Sequence, residues 1–382
     1  MQLIYHNKKR SSHRIAVGAL FFLQGICFSS WASRIPTIQQ KLGLSETELG
    51  LVLFAIPIGL MISLPLSGWL VAKKGSHTIA MLAMVSYAIS LVTIGLANSI
   101  FLLIIALLFF GFAGNMSNIA INTQAIGVEV LYKRSIMASF HGMWSVAGFT
   151  GAAVGTIMIG YSIVPFHHFA AVMLFVFAIL LFTSNHTIKE DTNKSSGPIF
   201  ALPDKSLINL GIIAFCSMIC EGAMFDWSGI YFKKVVMAEG ALIGAGYTAF
   251  MCTMAAGRFI ADWFTSHYGL KRTIQLSGLL TASGLMLAVL QPQFITAICG
   301  FFLVGFGVSS VVPLVYGEAG KSKVLSPGVA LAAVSTIGFL GFLIGPPVIG
   351  LVAGATSLRV SFTIIALMGL CITVMAGVLK KQ

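Results

Sequence analysis

Residues 148–155 read GFTGAAVG and residues 338–345 read GFLGFLIG, so one glycine spacing returns after 190 positions. The same offset places Ala72 on Asp262 and brings Glu129 to within one residue of Glu318. Glycine-rich membrane helices can resemble one another because small residues mediate their packing. Three features that recur at the same offset favour a different explanation. In this explanation, the chain consists of two halves of six helices each, which repeat in parallel orientation.

Composition places the chain in a membrane. Of its 382 residues, 57% are hydrophobic and 9% are charged, whereas a typical soluble domain is about 25% charged. A helix needs about 20 apolar residues to cross the hydrocarbon layer. We therefore predict an all-α membrane protein with twelve transmembrane helices in two six-helix bundles. The apolar runs lie near 14–36, 49–72, 78–97, 100–127, 136–160, 164–183, 207–232, 240–262, 273–290, 294–317, 326–352 and 358–379.

The basic residues predict the orientation. Most of the 23 lysines and arginines fall between the spans on one side, and Lys and Arg are retained on the cytoplasmic side during insertion. We expect a multi-pass protein of the bacterial inner membrane with both termini cytoplasmic. The formal net charge of +12 is spread over short segments, so it predicts no nucleic-acid partner.

One long polar segment divides the chain. Residues 184–206 are rich in Ser, Asn, Thr and Lys, and such a segment cannot bury enough apolar surface to order itself. We predict bundles at 1–183 and 207–382, joined by a flexible cytoplasmic linker at 184–206. The other connections are short, which leaves no room for a catalytic or nucleotide-binding domain. We expect neither an enzyme nor an ATP-driven pump, no cofactor and no metal, and a monomer.

The loop after the second run carries a recognisable pattern. Residues 68–75 read GWLVAKKG, and the second copy reads GRFIAD at 257–262 followed by GLKR at 269–272. This resembles the signature loop of the major facilitator superfamily, with Ala72 in place of its acid and Asp262 retaining it. In that superfamily the loop helps to hold the cytoplasmic side closed. The resemblance implies that gating charge lies mainly on the second half, at Arg258 and Asp262.

A closer likeness extends over nearly the whole chain. The stretches WASRIP at 31–36, SFHG at 139–142, EGAMFDWS at 221–228 and GFLGFLIGPP at 338–347 resemble the MosC-like, YbjJ-like bacterial branch near the fucose permeases. Most proteins of that branch are described only as transporters, without a substrate. The resemblance therefore implies a transporter fold more firmly than it implies any substrate.

The fourth predicted helix presents three amides on one face. Asn115, Asn118 and Asn122 are spaced i, i+3 and i+7, and an amide that faced lipid would be costly. Amides both donate and accept hydrogen bonds, which suits an uncharged polyhydroxylated ligand. Hydrogen bonds that only join helices are the alternative.

Aromatic and polar side chains on helices 1 and 5 extend this candidate substrate site. The candidates are Gln24, Trp31, His141 and Trp144, of which the two indoles could stack on an apolar ring face. Trp31 could instead belong to an aromatic belt at the membrane interface, and His141 could be a packing histidine.

Acids inside membrane spans are rare and are commonly functional. Glu221 and Asp226 lie on the seventh predicted helix and are the candidate proton-coupling residues. We expect Glu221 to couple protonation or bind ligand. Asp226, nearer the outside, is expected to have a structural partner, for which Arg34 is the candidate counter-ion.

Two further acids end the fourth and tenth helices. A carboxylate at a helix C-terminus is disfavoured by the dipole, so Glu129 and Glu318 each predict a basic partner in an inner gate. The candidates are Lys73, Lys74, Arg258 and Lys271. With Arg34 and Asp262, these acids and Arg258 complete the predicted gating residues.

Together these features predict a secondary transporter for a small polar solute, sugar-like or cyclitol-like, with H+ as the coupling ion. Two alternatives remain open. One is proton-driven efflux of amphipathic compounds. A resemblance to the drug/proton antiporters of the superfamily would imply a Gly-Pro motif in helix 5, and residues 136–160 contain no proline, which weakens this alternative. The other is a non-transporting membrane sensor.

Overall fold

The structure is a computed structural model that describes residues 2–132, 136–189, 205–322 and 327–379. Within these ranges the regular elements are helices, together with a short 3-10 turn at Gly240–Gly244. The α-helices are α1 Gln2–Leu42, α2 Glu46–Leu53, α3 Ala55–Lys74, α4 Ser76–Leu96, α5 Ile100–Tyr132, α6 Met137–Gly160, α7 Pro165–Thr183, α8 Lys205–Lys234, α9 Ala245–Leu290, α10 Phe294–Ser309, α11 Val311–Ala319, α12 Pro327–Ala355 and α13 Leu358–Gly377.

Twelve segments of the described helices are long and apolar enough to cross a membrane, which confirms the predicted fold class. Helices α2 and α3 together form one segment, α10 and α11 form another, and α9 with the 3-10 turn before it contains two. Large apolar side chains such as Phe101 (70% exposed) and Leu181 (77% exposed) point outward. Such exposure fits contact with lipid, in which backbone polar groups must be satisfied within helices.

The connection between the eighth and ninth spans is shorter than the sequence predicted. We expected a loop from 263 to 272, but α9 is helical on both sides of one non-helical residue, Gly269, with φ 77° and ψ 158°. Glycine adopts this positive φ without the steric penalty that a Cβ would bring. A single residue therefore redirects the chain where the sequence analysis placed ten.

The chain divides into two units by its contacts, one of Met1–Gly43 with Ala55–Lys194 and one of Leu44–Phe54 with Ser195–Gln382. Helices α1 and α6 pack together in the first unit, and α8 and α12 pack together in the second. The duplicated stretch lies at both contacts. A Cβ on Gly151 would lie 2.9 Å from the Ser29 side chain, and one on Gly341 would lie 3.1 Å from the backbone N of Ile219, the residue 190 positions after Ser29. The sequence repeat is thus also a repeat of helix packing.

The segment Leu44–Phe54 belongs to the second unit, whereas the predicted division assigned all of 1–183 to the first bundle. This segment contains α2, and α2 packs on α12 in the second unit. The two backbones touch at paired glycines, since a Cβ on Gly350 would lie 2.8 Å from Cα of Gly50. A Lys234–Glu46 ion pair of 2.6 Å joins α2 to the end of α8, which belongs to the same unit. Residues 190–204 of the predicted linker lie outside the described residues.

Candidate functional site

The three amides of α5 do not share one environment. Asn115 is buried, and its Nδ2 donates to Ser63 Oγ at 2.7 Å and to the Leu60 carbonyl at 3.4 Å. Both acceptors belong to α3, which packs along α5. The donor group of Asn115 therefore joins two helices, which is the alternative that the sequence analysis left open for the amides.

Asn118 and Asn122 form a pair on the same helix. Asn122 Nδ2 donates to the Asn118 side-chain oxygen at 3.0 Å and to the Asn118 carbonyl at 2.8 Å. Both residues are only partly buried. The hydrogen bonds found among the described residues leave Asn118 Nδ2 as a donor and Asn122 Oδ1 as an acceptor for a ligand.

Gln24 and Trp31 lie in the packed interior of the first unit. Gln24 is 7% exposed, and its Nε2 donates to the Gly114 carbonyl at 3.1 Å. Trp31 is 1% exposed, with its ring centroid 6.5 Å from that of Phe110. These two side chains hold α1 against α5.

His141 and Trp144 lie on α6 against aromatic residues of α1. The His141 ring meets Phe21 edge-on with centroids 5.2 Å apart, and it is exposed. Trp144 is partly buried, with its centroid 6.1 Å from that of Phe28. Of the predicted aromatic group, these two are the members with accessible ring surface.

The second unit brings an acid and a base together inside its spans. Arg258 Nη2 on α9 lies 3.5 Å from Glu221 Oε1 on α8, and the two side chains are 21% and 10% exposed. Glu221 was predicted as the coupling acid and Arg258 as a gating residue, but the sequence analysis did not pair them. The ion pair is a charged, nearly enclosed group that one proton can change.

Asp226 lies one turn further along α8 and is partly buried. The three ion pairs found among the described residues include neither Asp226 nor Arg34. A pair of Arg34 with Asp226 would join the two units, and it stays a prediction. The side chain of Asp262 is outside the part of the chain that the structure describes.

The two gate acids have partners other than those expected. Glu129 accepts hydrogen bonds from the backbone N–H groups of Ile136 at 3.1 Å and Met137 at 3.0 Å. These donors lie at the N-terminus of α6, where helix N–H groups lack internal partners and a carboxylate is favoured. Glu129 was predicted to need a basic partner because it lies near the C-terminus of α5. The N-terminus of the next helix, α6, supplies the donors.

Glu318 forms its ion pair with Lys321 at 3.0 Å, three residues further along the chain. Arg258, one of its expected partners, forms an ion pair with Glu221. Lys271, another, donates to the backbone carbonyls of Gly377 and Leu379.

Two other features of the described residues bear on ligand binding. No group of three or more His, Cys, Asp or Glu among them could hold a metal ion. A cavity of about 430 Å³ lies between α1, α6 and α7 of the first unit. Its lining is apolar except for Arg14 and Ser139, and it contains none of the amides.

Twelve apolar helices in the described part of the chain, with a charged pair inside them, define a polytopic membrane protein. A family model described as Major Facilitator Superfamily matches residues 17–319 and 210–382. The chain belongs to the major facilitator superfamily, as its signature loop indicated.

Curated relatives agree with the branch that the sequence resembles. An uncharacterized MFS-type transporter of Yersinia pestis is 32% identical over 97% of this chain and 96% of its own length. The membrane protein MosC of Rhizobium meliloti is 28% identical over 94% of this chain and 88% of its own.

Solved structures share the fold. The nucleoside transporter NupG superposes with a TM-score of 0.71 and 18% identity, covering 95% of this chain and 98% of that one. A bacterial homolog of the human lysosomal transporter Spinster, inward-facing and unoccupied, gives a TM-score of 0.73 at 14% identity, with 96% of each chain covered. At these identities the likeness establishes the fold alone.

Proposed function

We propose that this transporter moves a small polar solute, sugar-like or cyclitol-like, across the bacterial inner membrane by proton-coupled alternating access. The Glu221–Arg258 pair carries the proposal. A buried carboxylate is retained in a membrane span when it is paired or used, and this one is paired with Arg258 and has a side chain that is 10% exposed.

The proposed coupling step follows from the charges of the pair. A proton on Glu221 removes the negative charge and with it the attraction that holds Arg258. The guanidinium must then find other acceptors, because it stays protonated. Protonation thus changes the preferred arrangement of α8 and α9, and a proton-driven cycle needs such a two-state element.

The solute class follows from the first unit. Asn118 and Asn122 offer a donor and an acceptor without charge, and His141 and Trp144 provide accessible rings. Neutral hydroxylated molecules match this chemistry, since hydroxyl groups pair with amides and an apolar sugar face stacks on an aromatic ring. An efflux pump for amphipathic cations would need a more apolar surface than these amides provide.

The orientation proposed is that both termini are cytoplasmic. Lys73 and Lys74 end α3, and Lys271 and Arg272 follow Gly269 in α9. These pairs would face the cytoplasm, as basic residues do in short loops. Labelling of single cysteines placed at 74 and at 99 with an impermeant reagent tests this: intact cells should label position 99 and leave position 74 unlabelled.

A thermal-stability screen of the purified protein tests the solute class. Neutral monosaccharides, cyclitols, nucleosides, amino acids and lipophilic cations are compared at acidic and at neutral pH, because a ligand that binds the folded state raises its melting temperature. Neutral polyols should stabilise the protein, and Asn118→Ala should remove the effect. Asn115→Ala is the matched control, since its donor is engaged in helix packing. Stabilisation only by lipophilic cations would replace the proposal with efflux.

A further inference from the structure

One end of the first unit contains buried polar atoms that take no part in the proposed solute recognition or proton coupling. Arg34 on α1 is 1% exposed and His168 on α7 is fully buried. Arg34 Nη2 donates to the carbonyl of Ile163, just before α7 begins at Pro165. Nε and Nη1 of Arg34 and both ring nitrogens of His168 have no hydrogen-bond partner among the described residues. Buried polar groups of folded proteins almost always have partners.

These atoms belong to one cluster. A Cβ on Gly155 of α6 would lie against the Ser33 side chain and 3.7 Å from the His168 ring. Arg34 follows Ser33 directly and reaches the connection between α6 and α7. The Arg34 acceptor Ile163 lies five residues before His168, whose backbone N–H donates to the carbonyl of Val164.

Among its described residues, the first unit supplies no carboxylate near Arg34. Its single Asp or Glu among the described residues is Glu129, which binds the N-terminus of α6. Arg34 binds beyond the C-terminus of the same helix, and the 24 residues of α6 span about 36 Å. The two charges lie at opposite ends of the unit.

Two further features of this end of the first unit are positive. Lys41 donates to the carbonyls of Gly95 and Ala97, and the N-terminus of α7 carries the positive end of a helix dipole. The Ile163 carbonyl accepts from one donor of Arg34, and no described residue of the first unit supplies a carboxylate for the charge. A lone buried charge is very costly, because little of its solvation in water is replaced.

We propose that Arg34, His168 and the N-terminus of α7 bind a small monovalent anion of the size of chloride or formate. The anion accepts hydrogen bonds from Nε and Nη1 of Arg34 and from a ring N–H group of His168. It neutralises the guanidinium and fixes α1, α6 and α7 to one another. The site contains none of the residues assigned to solute recognition. The test of this site and the test of the proposed transport function therefore have independent outcomes.

The test is thermal unfolding of the full-length protein purified in detergent. Chloride replaces gluconate in steps at constant ionic strength, and formate does so in a second series, since gluconate is too large for an enclosed site. The melting temperature should rise by several degrees and saturate with either small anion. Arg34→Gln should abolish this dependence. Arg359→Gln is the matched control, because Arg359 also donates to a backbone carbonyl, that of Val289, but is exposed.

Equal melting temperatures of the unaltered protein in chloride, formate and gluconate would overturn the proposal and leave water as the partner of Arg34. An anion dependence that persists in Arg34→Gln would also overturn it. If Arg34→Gln does not fold, His168→Gln replaces it, and the apparent affinity for the anion should fall about tenfold with the loss of one hydrogen bond. His167→Gln, at an exposed neighbouring position, should leave that affinity unchanged.

Discussion

Arg34 and Arg258 are both enclosed arginines, one in each unit, and their surroundings differ. Arg258 lies 3.5 Å from Glu221, whereas Arg34 lies against a backbone carbonyl with two nitrogens unpartnered among the described residues. The second unit therefore neutralises its buried cation with its own carboxylate, whereas no carboxylate among the described residues of the first unit does so for Arg34. The two units repeat the same helix packing but surround their buried arginines with different groups.

The same contrast extends to the polar residues as a whole. The first unit presents the amides Asn118 and Asn122, while the second holds Glu221 and Asp226 on α8. Packing at Gly151 and Gly341 is repeated, but the residues assigned to function are not. Recognition of a neutral solute and the response to protons are thus proposed to reside in different halves.

Breaking the Glu221–Arg258 pair should have the largest effect. Arg258→Gln leaves an unpaired buried carboxylate and should lower the free energy of unfolding by about 3–5 kcal/mol. The double variant Glu221→Gln with Arg258→Gln should recover part of this loss. Chemical denaturation of the purified variants measures both. Arg359→Gln replaces an exposed arginine of the same unit and should change stability little. An equal loss of stability in this variant would contradict a specific contribution of the Glu221–Arg258 pair.

A smaller effect is expected where α2 contacts α12. In Gly350→Ala the new Cβ would lie 2.6 Å from the Glu46 carbonyl oxygen, so the helices must separate. Overpacking of this kind costs about 1–3 kcal/mol, which a melting curve detects. Gly68→Ala on α3 is the control, since its Cβ would meet nothing within 4 Å. Equal stability of the two variants would contradict the close contact.

The amides of α5 should separate into two classes. Asn115→Ala removes a buried donor to Ser63 and should cost about 1–2 kcal/mol of stability with little change in solute affinity. Asn118→Ala should weaken solute binding about tenfold, the effect of losing one hydrogen bond to ligand. Titration of the solute found in the screen, with melting curves, measures both quantities. Reversed effects would exchange the assigned roles.

The smallest effect is expected at the start of α2. Ser45 caps this helix, with its Oγ accepting from Glu48 N at 3.2 Å while Glu48 Oε2 accepts from Ser45 N at 2.9 Å. Ser45→Ala should cost about 1 kcal/mol. Ser283→Ala, where an exposed hydroxyl bonds within its own helix, should be nearly neutral. A larger loss at position 283 than at 45 would contradict the capping role.

The spans and the duplication could be predicted because both depend on local sequence. Membrane thickness sets the length of each apolar run, and the repeated glycines mark the packing that is duplicated. The helix break at Phe54 and the continuation of α9 beyond Trp263 could not be predicted, since they follow from tertiary packing and from the φ of Gly269.

The candidate site was only partly predictable for a related reason. Helical spacing predicts which residues share a face, and it grouped Asn115 with Asn118, but it does not say which neighbour each side chain meets. The partners Ser63 and Arg258 lie far away in sequence on other helices. His168 stands next to another histidine in an aromatic run, and nothing in that pattern marks it as buried.

Solute accumulation in proteoliposomes is the most direct test of the central claim, that Glu221 couples the cycle to protons. With an imposed proton gradient, the unaltered protein and Glu239→Gln, at an exposed acid of the same unit, should concentrate the solute. Glu221→Gln should exchange solute across the membrane without accumulating it. Full gradient-driven accumulation by Glu221→Gln would contradict the coupling role of the pair.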